Sequence, residues 1–369
     1  MFVFTLAPQG SFHIGEPVGI ERQRVLAHIP SDTIWAALFT TWMRDRRCRE
    51  ELLPRFSPSG PPPLTLTSAF PCLLSGNDKP RPTLRLYPRP LVRLNADPRR
   101  VEEMGKKVKA CWVSERLFRR LCQGENIDDA LQRECFAPGG LWFDPEDRKQ
   151  LPFHLLDPEG HIRPLWAVED LPRVALDRVT HAGNLYHIGH VTFARGVGLW
   201  FGVRADNDLE PYLHWALDAL ADAGLGGLRS TGHGAFRWGR AEEEDRPATE
   251  SGHAVTLARY APRNQEEVEA ALQSPHAAYG LVTIGGWCVD DSEHAWRRRW
   301  VWMVAEGSVI GHSAGTPGWM VPVTPARPED WDEAASPWPF GADRPVYRWG
   351  YAFPVPIASG ALPEEVAHV

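Results

Sequence analysis

The chain has 369 residues, 43% of them hydrophobic and 24% charged, which suits a globular protein of two domains with sizeable cores. A formal charge of -7 argues against a generic nucleic-acid coat, and six scattered cysteines without a C-x-x-C pair argue against a disulfide framework or a zinc site. No apolar run approaches the roughly 18 residues of a membrane span, so the expectation is a cytoplasmic protein with reduced thiols, no metal and no cofactor.

Phe2, Phe4 and Leu6 alternate with Val3, Thr5 and Ala7, which predicts a central first strand; without a basic n-region this start does not read as a signal peptide. A loop over 9–21 holds His13, which either stacks on a base or bonds a phosphate, or is structural. Pro30 and Ser31 announce a helix with Ser31 as N-cap and a stripe of Ile34, Trp35, Leu38, Phe39 and Trp42. A proline-rich linker spans 54–63, and a strand begins at Leu64 and ends at Phe70-Pro71.

From Arg81 to Arg120 there are 12 basic and 4 acidic residues, including Lys106, Lys107 and Lys109, with Tyr87 and Trp112 interspersed. Such a tract is either a solvated face or a nucleic-acid surface. A helix carrying Leu117, Phe118 and Leu121 follows, then 126–171, a proline-rich stretch of weak periodicity that reads as an insertion. Arg178, Thr180 and His181 cluster before two strand-like runs, 187–194 and 198–204, which a turn at Ala194-Arg195-Gly196 joins as a hairpin.

The most informative stretch is Gly224-Leu-Gly-Gly-Leu-Arg-Ser-Thr-Gly-His-Gly234. Leu213, Leu217 and Leu220 before it recur at helical spacing, and Phe236 and Trp238 after it alternate as in a strand. The order helix, loop, strand is the reverse of dinucleotide and P-loop motifs, and no Gly-Lys-Ser/Thr is present, so a nucleotide cofactor is disfavoured. Two readings remain: a glycine C-cap with an ordinary turn, or an anion-binding turn made of loop amides and Arg229.

Glu242 to Asp245 is acidic, and 255–260, 279–284, 300–305 and 346–353 read as strands. Asn264 with Glu267 forms a capping box for a helix ending near Leu272. Arg297-Arg298-Arg299 reads equally as an ion-paired lead into a strand or as a phosphate contact. Sparse helices among paired strands predict an α+β fold of two tandem ferredoxin-like domains. The first covers 1–240 with a basic insertion at about 72–171, the second 252–357, and 358–369 is a tail.

Several phrases occur in a telling order: Ser31-Asp-Thr-Ile-Trp-Ala-Ala-Leu, Ser68-Ala-Phe-Pro71, Tyr87-Pro-Arg-Pro90, the loop ending Arg229-Ser-Thr-Gly-His-Gly234, Gly285-Gly-Trp287, Glu306-Gly-Ser308 and Pro345-Val-Tyr-Arg-Trp-Gly-Tyr-Ala-Phe353. In this the chain resembles the RAMP superfamily of CRISPR-associated proteins, within it the family of fourth subunits of type III-A Csm effector complexes. The resemblance implies that both domains are RRM-like, with inserted loops and a protruding hairpin or thumb, and that the chain is a non-catalytic RNA-binding subunit that holds the crRNA 5′ handle and meets target RNA near the guide 5′ end. It also implies a large palm-domain signalling subunit and a backbone RAMP subunit as partners, with no membrane. Carried onto this sequence, the RNA contacts fall on Gly226, Gly227, Arg229, Ser230, Thr231, Gly232, His233 and Gly234, then His13, Ser31 and Thr33, then Arg178, Thr180 and His181, and last Lys106, Lys107 and Lys109. The thumb is expected within 81–112, with the hairpin around Ala194 as the other place for it. The rival reading is a metal-independent endoribonuclease acting on CRISPR repeat RNA through His13, His181 or His233, which nothing in the sequence pairs.

Overall fold

A computed structural model describes residues 1–364 apart from 19–21, 59, 77, 177–182, 243–251, 291, 293, 313–314, 332–337 and 341–343. The first half runs β1 (Phe2–Pro8), the short hairpin β2 (Gly15–Val18) and β3 (Arg22–Val25), α1 (Ser31–Arg44), α2 (Arg46–Leu52), β4 (Leu64–Leu66), β5 (Phe70–Ser75) and β6 (Arg81–Pro88). Then come α3 (Pro98–Met104), β7 (Trp112–Ser114), α4 (Glu115–Gln123), β8 (Phe136–Ala137), β9 (Leu141–Trp142) and α5 (Pro145–Lys149). A long ribbon of β10 (Trp166–Leu176) and β11 (Gly183–Phe193) precedes β12 (Val197–Ala205), α6 (Glu210–Ala223) and β13 (Phe236–Glu242).

Nine of these strands form one sheet in the order β13-β1-β12-β5-β6-β7-β9-β8, with β4 beside β12. β1 is central, antiparallel to both β12 and β13, as its fully apolar start requires. Among β1, β5, β12 and β13 the order in space is fourth, first, third, second, with α1 following β1 and α6 following β12: a β-α-β-β-α-β unit. Phe2, Phe4 and Leu6 enter the core beneath α1 and α6, while Val3 points to the opposite core, which α4 covers. Burial on both faces explains why the strand is apolar but for Thr5, whose hydroxyl donates to the Pro80 carbonyl at 2.6 Å, each large apolar side chain contributing roughly 1.5–3 kcal/mol. Among the described residues no helix is long and apolar enough to cross a membrane.

The second half contains β14 (His253–Thr256), α7 (Gln265–Leu272), β15 (Leu281–Ile284), β16 (Trp287–Val289), β17 (Ala295–Arg297), β18 (Val301–Val304), β19 (Val309–Gly311), β20 (Met320–Pro322), β21 (Tyr347–Trp349) and β22 (Pro354–Pro356). Its strands pair as β19-β14-β22, β15-β18, β16-β17 and β20-β21. Asn264 caps α7 as expected, its Oδ1 accepting the Glu267 amide at 2.9 Å.

Four expectations change. The turn at Ala194-Arg195-Gly196 closes no hairpin, because β11 pairs with β10 while β12 pairs with β1, β4 and β5. Pro30, not Ser31, occupies the N-cap of α1, its carbonyl accepting the Thr33 amide at 2.9 Å, because the Ser31 hydroxyl is engaged elsewhere. The tract 81–112 is no thumb: β6 is hydrogen-bonded on both sides, and Tyr87 and Trp112 are buried. Over the wider run 81–120, Arg85 and Arg119 pair with Glu115, Arg116 with Asp144, and Arg120 with Asp129 and Asp144. The element that projects is β10–β11, whose far end leaves Val174, Leu176 and Leu185 exposed. Finally, 126–171 is not a bare loop: Trp142 and Phe143 are wholly buried, β9 runs parallel to β7, and Trp166 opens the ribbon.

Candidate nucleic-acid interface

After β1 the chain enters a clasp. Phe12 exchanges both backbone hydrogen bonds with Val191 at the ribbon root, and His13 Nδ1 lies 2.6 Å from the Gly189 carbonyl. On its other side the same loop holds the glycine-rich segment: the His13 carbonyl accepts the Gly227 amide at 2.8 Å and the Ser11 carbonyl accepts the Gly234 amide at 3.0 Å. Two of these positions require glycine on steric grounds. A Cβ at Gly226 would lie 2.8 Å from the His13 carbonyl oxygen, and one at Gly234, where φ is +86°, would lie 2.3 Å from that of Leu225. Helix, loop and strand follow in the expected order, and Gly224 ends α6 as a C-cap.

The loop amides are only partly available to a ligand. Those of Gly227 and Gly234 are bonded to the clasp, and those of Thr231 and Gly232 to Leu228 and Arg229 inside a short 3₁₀ turn. Arg229, Ser230, Thr231 and Gly232 form the exposed crown. Leu228 holds φ +57°, the one non-glycine residue with positive φ among those described, and turns the crown outward.

Beside the crown opens a groove of about 1640 Å³. Its walls are the outer face of α1 from Thr33 to Arg44, the ribbon root, residues 224–229, and the segment from Ile284 to Trp300. Six arginines line it (Arg44, Arg229, Arg259, Arg297, Arg298 and Arg348) against two carboxylates, Asp32 and Asp170. Low-dielectric walls focus such a field, so the groove attracts polyanions although the whole chain is acidic. Trp287 and Trp300, each 53% exposed, add aromatic surface.

The floor is a buried charged seam between the two halves. Asp32, 2% exposed in the first turn of α1, pairs with Arg348 and lies 3.6 Å from Arg259. Arg259 in turn approaches Glu306 at 3.6 Å, which also meets His28 at 3.7 Å and accepts the Ser68 hydroxyl at 2.6 Å. Ser31 Oγ accepts the Arg259 amide at 3.0 Å, and the Ser31 amide donates to Ser68 Oγ at 2.8 Å. Burial alone would raise the Glu306 carboxyl, but the His28 contact, the Arg259 charge and the Ser68 hydrogen bond together hold it down at about 2.

His13, Thr33, Gly226, Gly227 and Arg229 thus meet at one groove. Ser31 does not face it: the side chain is fully buried in the seam. His233 and Gly234 lie behind the crown, where Ser11 Oγ is 3.0 Å from His233 Nδ1 and the His190 ring is 6.0 Å away. Burial, then the charges of His190, His13 and Arg173, push the His233 imidazole down. Lys106, Lys107 and Lys109 are exposed on a turn whose Met104 and Val108 join the core on the other face of the sheet, away from the groove. Arg178, Thr180 and His181 lie outside the described residues. Sequence reasoning missed Arg44, Arg348, Trp287 and Trp300, and left Arg298 undecided; two glycines at 285–286 followed by three arginines and a tryptophan were the available signal.

No family model matches the chain. A curated relative, the CRISPR system Cms protein Csm4 of Thermococcus onnurineus (strain NA1), is 28% identical over 152 residues, 41% of this chain and 47% of that protein. The chain therefore matches about half the length of that relative. In a crystal structure of a Csm3–Csm4 subcomplex of the type III-A CRISPR-Cas interference complex, a chain 14% identical superposes with a TM-score of 0.62 over 97% of this chain and 99% of its own length. A chain in a Csm1–Csm4 cassette in complex with cA4 is 18% identical, with a TM-score of 0.50 and 98% of each chain covered.

Proposed function

We propose that this chain is a Csm4-type RAMP protein, a non-catalytic, RNA-binding structural subunit of a type III-A CRISPR effector complex serving RNA-guided antiviral defence. Its groove anchors the 5′ handle of the crRNA, other surfaces dock the large palm-domain subunit and the first backbone subunit, and the β10–β11 ribbon is the thumb that reaches target RNA near the guide 5′ end. The observation that carries this reading is the convergence of His13, the glycine loop, Arg229 and the α1 face on a single arginine-lined groove. A fixed single strand needs such phosphate contacts beside aromatic and hydroxyl groups. The tandem ferredoxin-like organisation belongs to the proposal too. β19-β14-β22 repeats, in shortened form, the third-first-fourth order of the first half, with α7 after β14.

Purification with the products of neighbouring genes, followed by sequencing of the bound RNA, tests the reading: small RNAs sharing one fixed 5′ end are expected, and their absence would sink it. In the same complex Arg229→Ala should weaken handle binding about tenfold and lower the salt slope by about 0.7, the single-strand value for one phosphate contact. Unchanged binding would leave the groove without a role.

One observation favours the endoribonuclease reading. His13, His190 and His233 gather at the ribbon root, a grouping their spacing in sequence does not suggest, and an acid and a base are what metal-free RNA cleavage requires. Incubation with repeat RNA in chelator separates the two readings: specific cleavage abolished by His13→Ala would overturn the non-catalytic one.

A further inference from the structure

The groove wall contributed by the second half carries a feature that neither the glycine loop nor the charged seam uses. At the mouth of β15–β18 the register places Gly285 opposite Trp300, one step beyond the Ile284–Val301 pair. A Cβ on Gly285 would lie 2.9–3.0 Å from three carbons of the Trp300 ring, so the indole lies flat across the bare Gly285 backbone. One face of the ring is thereby packed, and with the side chain 53% exposed the other is turned to the groove.

The next residue gathers charge. Gly286 has φ +127°, and the direction of its missing side chain points between two guanidinium groups: Arg298 Nη2 at 3.6 Å and Arg348 Nη2 at 3.7 Å from the Cβ position. Each is held by the backbone, Arg348 Nη2 donating to the Gly285 carbonyl at 2.7 Å and Arg298 Nε to the Trp287 carbonyl at 2.9 Å. Arg348 is 8% exposed and shares Asp32 with Arg259, while Arg298 has no carboxylate partner among the described residues. Burial and the adjacent Arg348 charge depress the Arg298 guanidinium, as expected where two like charges converge with too little anion between them.

We infer that Gly285 and Gly286 build a station for one unpaired nucleotide, its base stacked on the free face of Trp300 and its phosphate held by Arg298 and Arg348. The two glycines are required for opposite reasons, the first to let the ring lie down and the second to leave room between the guanidinium groups. A flat ring beside an anion site suits a single strand, because a base inside a duplex already has both faces covered. The station rests on the RNA reading of the groove and extends it to the second half of the chain, with a preference for unpaired RNA.

The test uses full-length protein titrated by fluorescence anisotropy against a labelled single-stranded RNA of about ten nucleotides and the same RNA annealed to its complement. Trp300→Ala should weaken single-strand binding about tenfold without changing the salt slope, Gly285→Val should reproduce that loss by displacing the ring, and Trp300→Phe should retain most of the affinity. Arg298→Gln should weaken binding and lower the slope by about 0.7. If Trp300→Ala and Arg298→Gln bind like the native chain while Arg229→Ala is weakened, the station is overturned and the groove reading stands. If Arg229→Ala is also unaffected, the groove reading falls with it. Equal affinity for duplex and single strand would likewise overturn the station.

Discussion

The seam and the rim of the groove are built from the same residue types and do different work. In the seam Arg259 and Arg348, 4% and 8% exposed, meet Asp32 and Glu306, and the Ser68 hydroxyl donates to Glu306. At the rim Arg44, Arg229 and Arg297 are exposed and, among the described residues, none is ion-paired to a carboxylate. A buried charge must be answered within the chain, since taking an ion out of water costs several kcal/mol that only close partners offset. A rim arginine stays hydrated and remains available to an outside anion. Burial, more than residue type, therefore separates the arginines that hold the two halves together from those open to an outside anion, with Arg348 reaching both, its Nη1 on Asp32 and its Nη2 at the Gly286 gap.

That separation makes the largest effect a loss of stability. Asp32→Ala leaves Arg348 and Arg259 without their shared carboxylate, and the expected cost is about 3–5 kcal/mol, read as the shift in a urea midpoint. A cost below about 1 kcal/mol would mean that the seam is solvated and that the contrast with the rim is false. Acid should act on the same structure. The Glu306 carboxyl is lowered from 4.5 to about 2, so its stabilising contribution is complete above pH 4.5 and lost as pH falls towards 2, where the folded state is also protonated. Glu306→Gln should flatten that limb of the stability profile; an unchanged profile would show that other carboxylates govern acid unfolding.

At the rim the expectation is reversed. Arg229→Ala should leave thermal stability within about 0.5 kcal/mol of native, because the side chain is exposed and unpaired, while lowering RNA affinity. A variant that loses stability and binding together would place Arg229 in the seam's class. The clasp behind the crown is intermediate. His233 is held below its ordinary 6.5, so as pH falls below 6.5 the unfolded chain takes up a proton first and the packing of His233 against Ser11 is progressively disfavoured.

The same contrast explains what could be read from the sequence. Alternation in β1, the stripe of α1, the Asn264 cap and the order of helix, glycine loop and strand are local patterns, and the structure reproduces them. The projecting element was misplaced because charge density over 81–120 suggested a free surface. Asp129 and Asp144, which pair with Arg116 and Arg120 at its end, lie in a stretch of weak periodicity. β10 is exposed beyond Trp166 and has no buried side to impose alternation, so it leaves no strand signal within 166–176. The phrases that carry the resemblance to the RAMP proteins contain both classes of residue. Ser31, Ser68, Glu306 and Arg348 lie in those phrases as Arg229 does, and only pairing across 316 residues between Asp32 and Arg348 shows that they belong to the seam.

The smallest expected effect bears on the lysines at 106, 107 and 109. They stand in a 3₁₀ turn after α3, exposed, with Val108 between them anchored in the core on the face of the sheet opposite α1. Replacing all three with alanine removes charge without opening a cavity, so stability should change by no more than about 0.5 kcal/mol. Handle binding should also be nearly unchanged at physiological salt, because a Debye length of about 8 Å screens them from a groove on the other side of the sheet. An affinity loss matching that of Arg229→Ala, with a slope falling by about 0.7 for each lysine removed, would show that RNA crosses both faces of the sheet. The groove would then be one stop on a longer path, and exposure alone, without convergence on a cavity, would suffice to mark an RNA contact.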